Sequence, residues 1–191
     1  SNAMRILMLG NSLTTANHMP DMLAELLTAE VRVHARGGAR LAEHLNPKTR
    51  NGALTQAALA NEAWDFVVMQ EMSHGPATSP TAYARSVASL SEAAKAAGAQ
   101  PVIYGTWPYR AGCAKLVKLG MSHDDMSLRM AEAFAQAAAD SGALLADVAA
   151  PFRAGSADEL YAADGVHPSP AGSRLAALVL AETMGKGIRP W

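Results

Sequence analysis

Five short apolar runs, Ile6–Leu9, Val31–Ala35, Phe66–Met69, Val102–Tyr104 and Leu144–Val148, recur along the chain and constrain its fold more than any other feature. Each has the length of a strand. The middle ones are continuous rather than alternating, as expected of strands covered on both faces. Between them the sequence carries helix chemistry. Pro20 starts a segment in which Met19, Met22, Leu23, Leu26 and Leu27 fall at helical spacing, a core-packing pattern. Ser79-Pro80 reads as cap and first-turn proline of a helix that stops at Gly98. Ser122 with Asp125 resembles a capping box for a helix ending before Gly142, and Ser169-Pro170 opens a last helix closing near Gly185. A shorter helix is expected at Leu54–Asn61. This alternation predicts five parallel strands joined by right-handed crossovers, an α/β fold in three layers, α/β/α. Function then belongs in the loops after the strands' carboxyl ends.

Composition narrows the function classes. Ser1-Asn2-Ala3 reads as an expression-vector remnant ahead of Met4, which leaves residues 4–191 as one domain. Half the residues are apolar and 17% are charged, a balance that supports a sizeable core. With 16 Lys+Arg against 17 Asp+Glu and no basic run, nucleic acid is not an expected partner. The longest apolar stretches, about six residues, fall far short of the roughly 20 that cross a bilayer, so no membrane partner is expected either. Residues 4–9 end at a Gly10-Asn11 turn without the longer apolar region of a signal peptide, and read as a first strand. Together with a single cysteine, Cys113, this gives the expectation of a cytoplasmic protein; a homo-oligomer is left open.

Two loops carry chemistry. The first strand runs into Gly10-Asn11-Ser12-Leu13-Thr14, a tight turn that presents a serine just before a helix, with backbone N–H groups pointing where an oxyanion would form. A serine needs a base, and Asp164-Gly165-Val166-His167 supplies one. At that spacing the carboxylate accepts from one imidazole nitrogen and leaves the other to face Ser12. Each half has a plainer reading: the turn as an ordinary helix entry, the Asp-x-x-His as a helix cap. The same start would also serve as a phosphate cradle, with Ser12, Thr14 and Thr15 around a flavin or nucleotide, although Asp164 and His167 have no task in that scheme.

In this order, and with Gly38 in Arg36-Gly37-Gly38-Ala39 between them, the motifs resemble the SGNH (GDSL-like) hydrolases across essentially the whole domain. The resemblance implies a flavodoxin-like topology and a serine ester hydrolase without metal or cofactor, with Ser12 as nucleophile, His167 as base and Asp164 orienting it. It implies an oxyanion hole built from the N–H groups of Ser12 and Gly38, with Gly37 the adjacent alternative for the second. The family's third donor is an asparagine after the third strand. This chain has Met69-Gln70-Glu71-Met72-Ser73 there, which makes Gln70 the expected donor, and a Gln-Glu-x-Ser sequence resembles a less studied bacterial branch of the superfamily. Asn11 stands where the commonest motif has aspartate.

The expected substrate is a small acyl ester, acetyl on a sugar first, a lipid or thioester second; a degenerate hydrolase kept as a binding module is the remaining alternative. Asn11, Glu71, Thr106 and Trp107 are the candidate substrate contacts, with Glu71 alternatively paired to Arg36 or Arg40. Residues 110–125 read as a long connection able to form a lid or substrate wall. The remaining histidines, at 18, 34, 44, 74 and 123, lack metal spacing and read as surface or local hydrogen-bonding residues, with His74 the one nearest the site.

Overall fold

The computed structural model describes residues 3–187; Ser1 and Asn2 of the expected vector remnant lie outside the described residues. Strands β1 (Met4–Gly10), β2 (Ala29–Ala35), β3 (Phe66–Met69), β4 (Gln100–Gly105) and β5 (Leu144–Asp147) form one parallel sheet in the order β2-β1-β3-β4-β5. Five longer helices cover it: α1 (Met19–Leu27), α2 (Arg50–Asn61), α3 (Pro80–Ala96), α4 (His123–Ser141) and α5 (Pro170–Gly187). α1 packs on α5 at one face, and α3 packs on α4 at the other. The result is the expected three-layer α/β/α sandwich.

The sequence pattern follows from this placement. Ile6, Leu7, Met8 and Leu9 of β1, covered on both faces, are all 0% exposed. β2 lies at the edge, and there the chain alternates, with Glu30 and Arg32 turned outward. Among the described residues no helix is long and apolar enough to cross a membrane.

Helix ends largely follow the local chemistry. Ser122 Oγ accepts from the Asp125 N–H at 3.0 Å, and α4 stops at Gly142 with φ +73. Ser79 differs from expectation: its side chain makes no cap bond, and a short helix, Gly75–Thr78, ends on it, with the Ser79 N–H donating to Gly75 O at 2.8 Å. The 110–125 segment, expected as a long connection, is partly helical. It contains a helix, Ala114–Leu119, ended by Gly120 at φ +77, and Leu116 is buried.

Two histidines expected at the surface or in local bonds are in fact core residues. His34, at the end of β2, and His44, in the short helix Leu41–Leu45, are 6% and 3% exposed. Both turn Nδ1 toward the hydroxyl of Thr55 on α2, at 2.9 and 3.5 Å. Burial pushes the His34 imidazole below its ordinary range, and Arg32 adds to this; burial takes His44 down to about 4. His44 is therefore neutral in the folded chain where the unfolded chain already binds a proton.

Stability should be fully present above about pH 6.5 and fall as pH drops toward 4, with His44 contributing about 3 kcal/mol of the loss. Melting curves across this range should show a fall of about 5–10 °C attributable to His44. The slope should flatten in His44→Leu, and an unchanged slope would remove His44 from this role.

Candidate active site

The order β2-β1-β3 means the chain leaves β1 in one direction and returns for β3 on the other side. The crevice at that reversal opens beyond the carboxyl ends of β1 and β3. Ser12 stands there. Gly10 ends β1, Asn11 is extended at φ −145, and its Oδ1 caps the short helix Ser12–Thr15 by accepting the Leu13 N–H at 3.0 Å. A Cβ at Gly10 would lie 2.6 Å from Thr14 Oγ1 and 2.7 Å from Gln70 Oε1, so any larger residue there would have to push these two bonded side chains aside.

Ser12 Oγ lies 2.8 Å from His167 Nε2, although the two are 155 positions apart. His167 Nδ1 lies 2.6 Å from Asp164 Oδ2, and Asp164 Oδ1 accepts the N–H groups of Val166 and His167, both at 2.9 Å. A carboxylate can only accept, so Nδ1 carries the proton and Nε2 presents its lone pair to the serine hydroxyl. Partial burial alone would raise the Asp164 carboxyl. The bonds from His167 and the two backbone N–H groups outweigh it and hold Asp164 at about 2.

The loop that carries His167 is braced from below. Trp107 Nε1 donates to Val166 O at 2.9 Å, Tyr161 Oη donates to Pro108 O at 2.6 Å, and Arg110 N donates to Gly165 O at 2.8 Å. Trp107 stacks on Phe152 at 4.1 Å, and Phe152 meets Tyr161 edge-on. Gly165 takes φ +72 and lies so close to Cys113 that a Cβ would come within 2.6 Å of its Cβ. From the other side Asn17, itself left-handed at φ 56, donates to Pro168 O at 3.0 Å and to Ser173 Oγ at 2.9 Å. This ties the segment after Ser12 to the segment after His167. Sequence reading missed Asn17; its only signal is that asparagine tolerates the left-handed region.

The second loop closes as a turn in which Ala39 N donates to Arg36 O at 3.0 Å and Gly38 takes φ +71. Gly38 is exposed, and its N–H has no intramolecular acceptor among the described residues. Asn11 Nδ2 donates to Ala39 O at 3.1 Å, fastening this turn to the serine turn.

Five expected contacts stand differently. Gln70, the expected oxyanion donor, is 1% exposed; its Oε1 accepts Asn11 N at 3.1 Å and Thr14 Oγ1 at 2.8 Å, while its Nε2 donates to the Glu71 carbonyl. Because the Asn11 N–H can only donate, the carboxamide orientation is fixed, and both its ends are engaged inside the protein. Asn11 is 2% exposed, with both side-chain polar atoms bonded to backbone. Glu71 is 6% exposed and takes the N–H groups of Leu41 at 3.2 Å and Met72 at 2.9 Å; burial raises its carboxyl, which those bonds oppose. Arg36 pairs with Glu43 instead, and Arg40 acts on Glu71 only through its charge. Thr106 and Trp107 are buried as well. Asn11, Gln70 and Glu71 are held inward by bonds to backbone groups and Trp107 by its bond to Val166 O and the aromatic stack, while Thr106 is 2% exposed. His74 stays at the rim, its Nδ1 2.7 Å from Thr78 Oγ1.

Gln70→Leu, which keeps the volume, would leave the Asn11 N–H and Thr14 hydroxyl without their acceptor. The expected cost is about 2–4 kcal/mol, read as a fall in melting temperature, and an unchanged melt would show that the clasp is dispensable.

No curated protein matches the sequence. Solved structures of similar fold include TesA (TM-score 0.72, 19% identity, 96% of this chain and 99% of that one). A DUF4886 family protein from Bacteroides uniformis superposes with TM-score 0.69 at 18% identity over 97% of this chain and 84% of that one. A variant of Axe2, an acetyl-xylooligosaccharide esterase from Geobacillus Stearmophilus, does so at 0.69 and 17%, covering 95% and 94%. Residues 8–175, which hold Ser12, Gly38, Asp164 and His167, match the model of the GDSL-like Lipase/Acylhydrolase family, and the chain belongs to that family.

Proposed function

We propose that the protein is a serine esterase that removes a small acyl group, acetyl first, from an alcohol such as a sugar hydroxyl, through an acyl-enzyme. The observation that carries this is the hydrogen-bonded series Ser12 Oγ, His167 Nε2, His167 Nδ1, Asp164 Oδ2. Ser12 attacks the ester carbonyl as its proton passes to His167 Nε2. The imidazolium, stabilised by Asp164, returns that proton to the departing alcohol, and a water activated the same way then releases the acid. The N–H groups of Ser12 and Gly38 take the oxyanion.

A small acyl group is favoured by two points. Trp107, the large apolar side chain expected beside the site, packs under the His167 loop and offers no wall for a long chain. The fold is also shared with a protein described as an acetyl-xylooligosaccharide esterase.

Hydrolysis of p-nitrophenyl esters from C2 to C8 should fall with chain length. Ser12→Ala should lower kcat/KM by about 10³-fold or more; a loss under about tenfold would exclude Ser12 as nucleophile. Asp164 stays ionised down to about pH 2, so acidification within the working range does not test it and substitution must. Asp164→Asn should lower kcat by about 10²–10⁴-fold with KM little changed, measured at constant pH; retention of full kcat would show that the carboxylate is not needed.

A further inference from the structure

The Gln70 carboxamide oxygen accepts from Asn11 and Thr14 and its nitrogen donates to the Glu71 carbonyl, and the same loop after β3 carries a hydroxyl donor, Ser73. Ser73, half-buried, has its Oγ 2.6 Å from the hydroxyl of Tyr109, which is 4% exposed. Two hydroxyls bring two protons, and one is used between them. Either hydroxyl can be the donor of this bond; in the arrangement where the phenol, the stronger acid, donates to Ser73, the serine proton is left over. Its other neighbour, Met72 Sδ at 3.8 Å, is a weak acceptor that a substrate oxygen displaces.

β3 lies between β1 and β4. Ser12 rises from β1, and the His167 loop docks on the exit of β4 through Arg110 N to Gly165 O and Trp107 Nε1 to Val166 O. Ser73 follows the end of β3 by four residues and is held by Tyr109, the neighbour of Arg110, whose N–H bonds Gly165 O in the base loop.

We infer that the Ser73 hydroxyl, held by Tyr109, is a catalytic donor that takes the ester carbonyl oxygen as it becomes an oxyanion. The inference rests on Ser12 being the nucleophile. As Ser12 Oγ bonds to the carbonyl carbon, the C=O pair moves onto oxygen and the Ser12 proton goes to His167 Nε2; Ser73 keeps its own proton and donates a hydrogen bond to the new anion.

The test uses p-nitrophenyl acetate and a fluorophosphonate probe of Ser12 on the full chain. Ser73→Ala should lower kcat about 10²-fold with KM within about threefold, and slow labelling of Ser12 comparably. Ser73→Thr, which retains a hydroxyl, should recover most of the loss, and Tyr109→Phe should lose about tenfold. Ser73→Ala within about threefold of the parent in kcat, or an effect confined to KM, overturns the inference and leaves Ser12 as nucleophile standing. If Ser73→Ala melts at a lower temperature, Tyr109→Phe decides, since it keeps the ring and its contacts: full kcat in that variant overturns the inference. Absence of any Ser12-dependent labelling in the parent chain removes the esterase reading, and this inference with it.

Discussion

The site depends on one buried clasp between two adjacent strands. Gln70, just past β3, reaches across to β1 and accepts both the Asn11 N–H and the Thr14 hydroxyl. A side chain at Gly10, the last residue of β1, would push the bonded Gln70 and Thr14 apart. Asn11 then extends the clasp to the other neighbour of β1, bonding Ala39 in the loop after β2. Three loops on three strands are thereby locked with respect to Ser12 by side chains that never meet solvent. Such bonds are worth most where water cannot compete, and breaking one strands a buried donor.

This explains how much of the molecule was legible in its sequence. The five strands and the long helices showed because burial of a sheet face writes an apolar pattern, and caps such as Ser122 and Gly142 write local ones. Asp164, Val166 and His167 were legible as a unit because their mutual geometry is local, set within four residues. Gln70, Glu71 and Asn11 were legible as important but not in their roles. A polar residue at a strand's carboxyl end can turn outward to a ligand or inward to a neighbouring backbone, and the choice depends on partners 28 to 59 positions away. Trp107 misled for the same reason: an aromatic after a strand reads as a pocket wall, yet here Phe152 and the carbonyl of Val166 draw it under the loop.

The two halves of the candidate triad are held by different means. Ser12 is fixed by polar clasps around a glycine turn, whereas the His167 loop rests on an aromatic stack, a left-handed glycine packed on Cys113, and three bonds to the exit of β4. Asn17 joins them by bonding Pro168 O and Ser173, so the distance between Ser12 and His167 is set twice, once through the sheet and once directly. A single tether would let the 155-position separation relax; two leave the 2.8 Å contact little room to drift.

Burial and exposure then divide the work. The residues that position are almost wholly covered: Asn11, Gln70, Glu71 and Trp107 lie between 1% and 6% exposed. The groups proposed to meet substrate are few and small: the Ser12 hydroxyl, the imidazole edge of His167, the N–H of Gly38, which has no intramolecular acceptor among the described residues, and the hydroxyl of Ser73. Each can lend a lone pair, a proton or a hydrogen bond without moving a long side chain, so little ordering entropy remains to be lost when charge develops on a substrate oxygen. The departures from the familiar motif, asparagine for aspartate and glutamine for asparagine, thus fall on side chains that bond buried groups of neighbouring loops. That leaves the open side of the frame to serine, histidine and backbone.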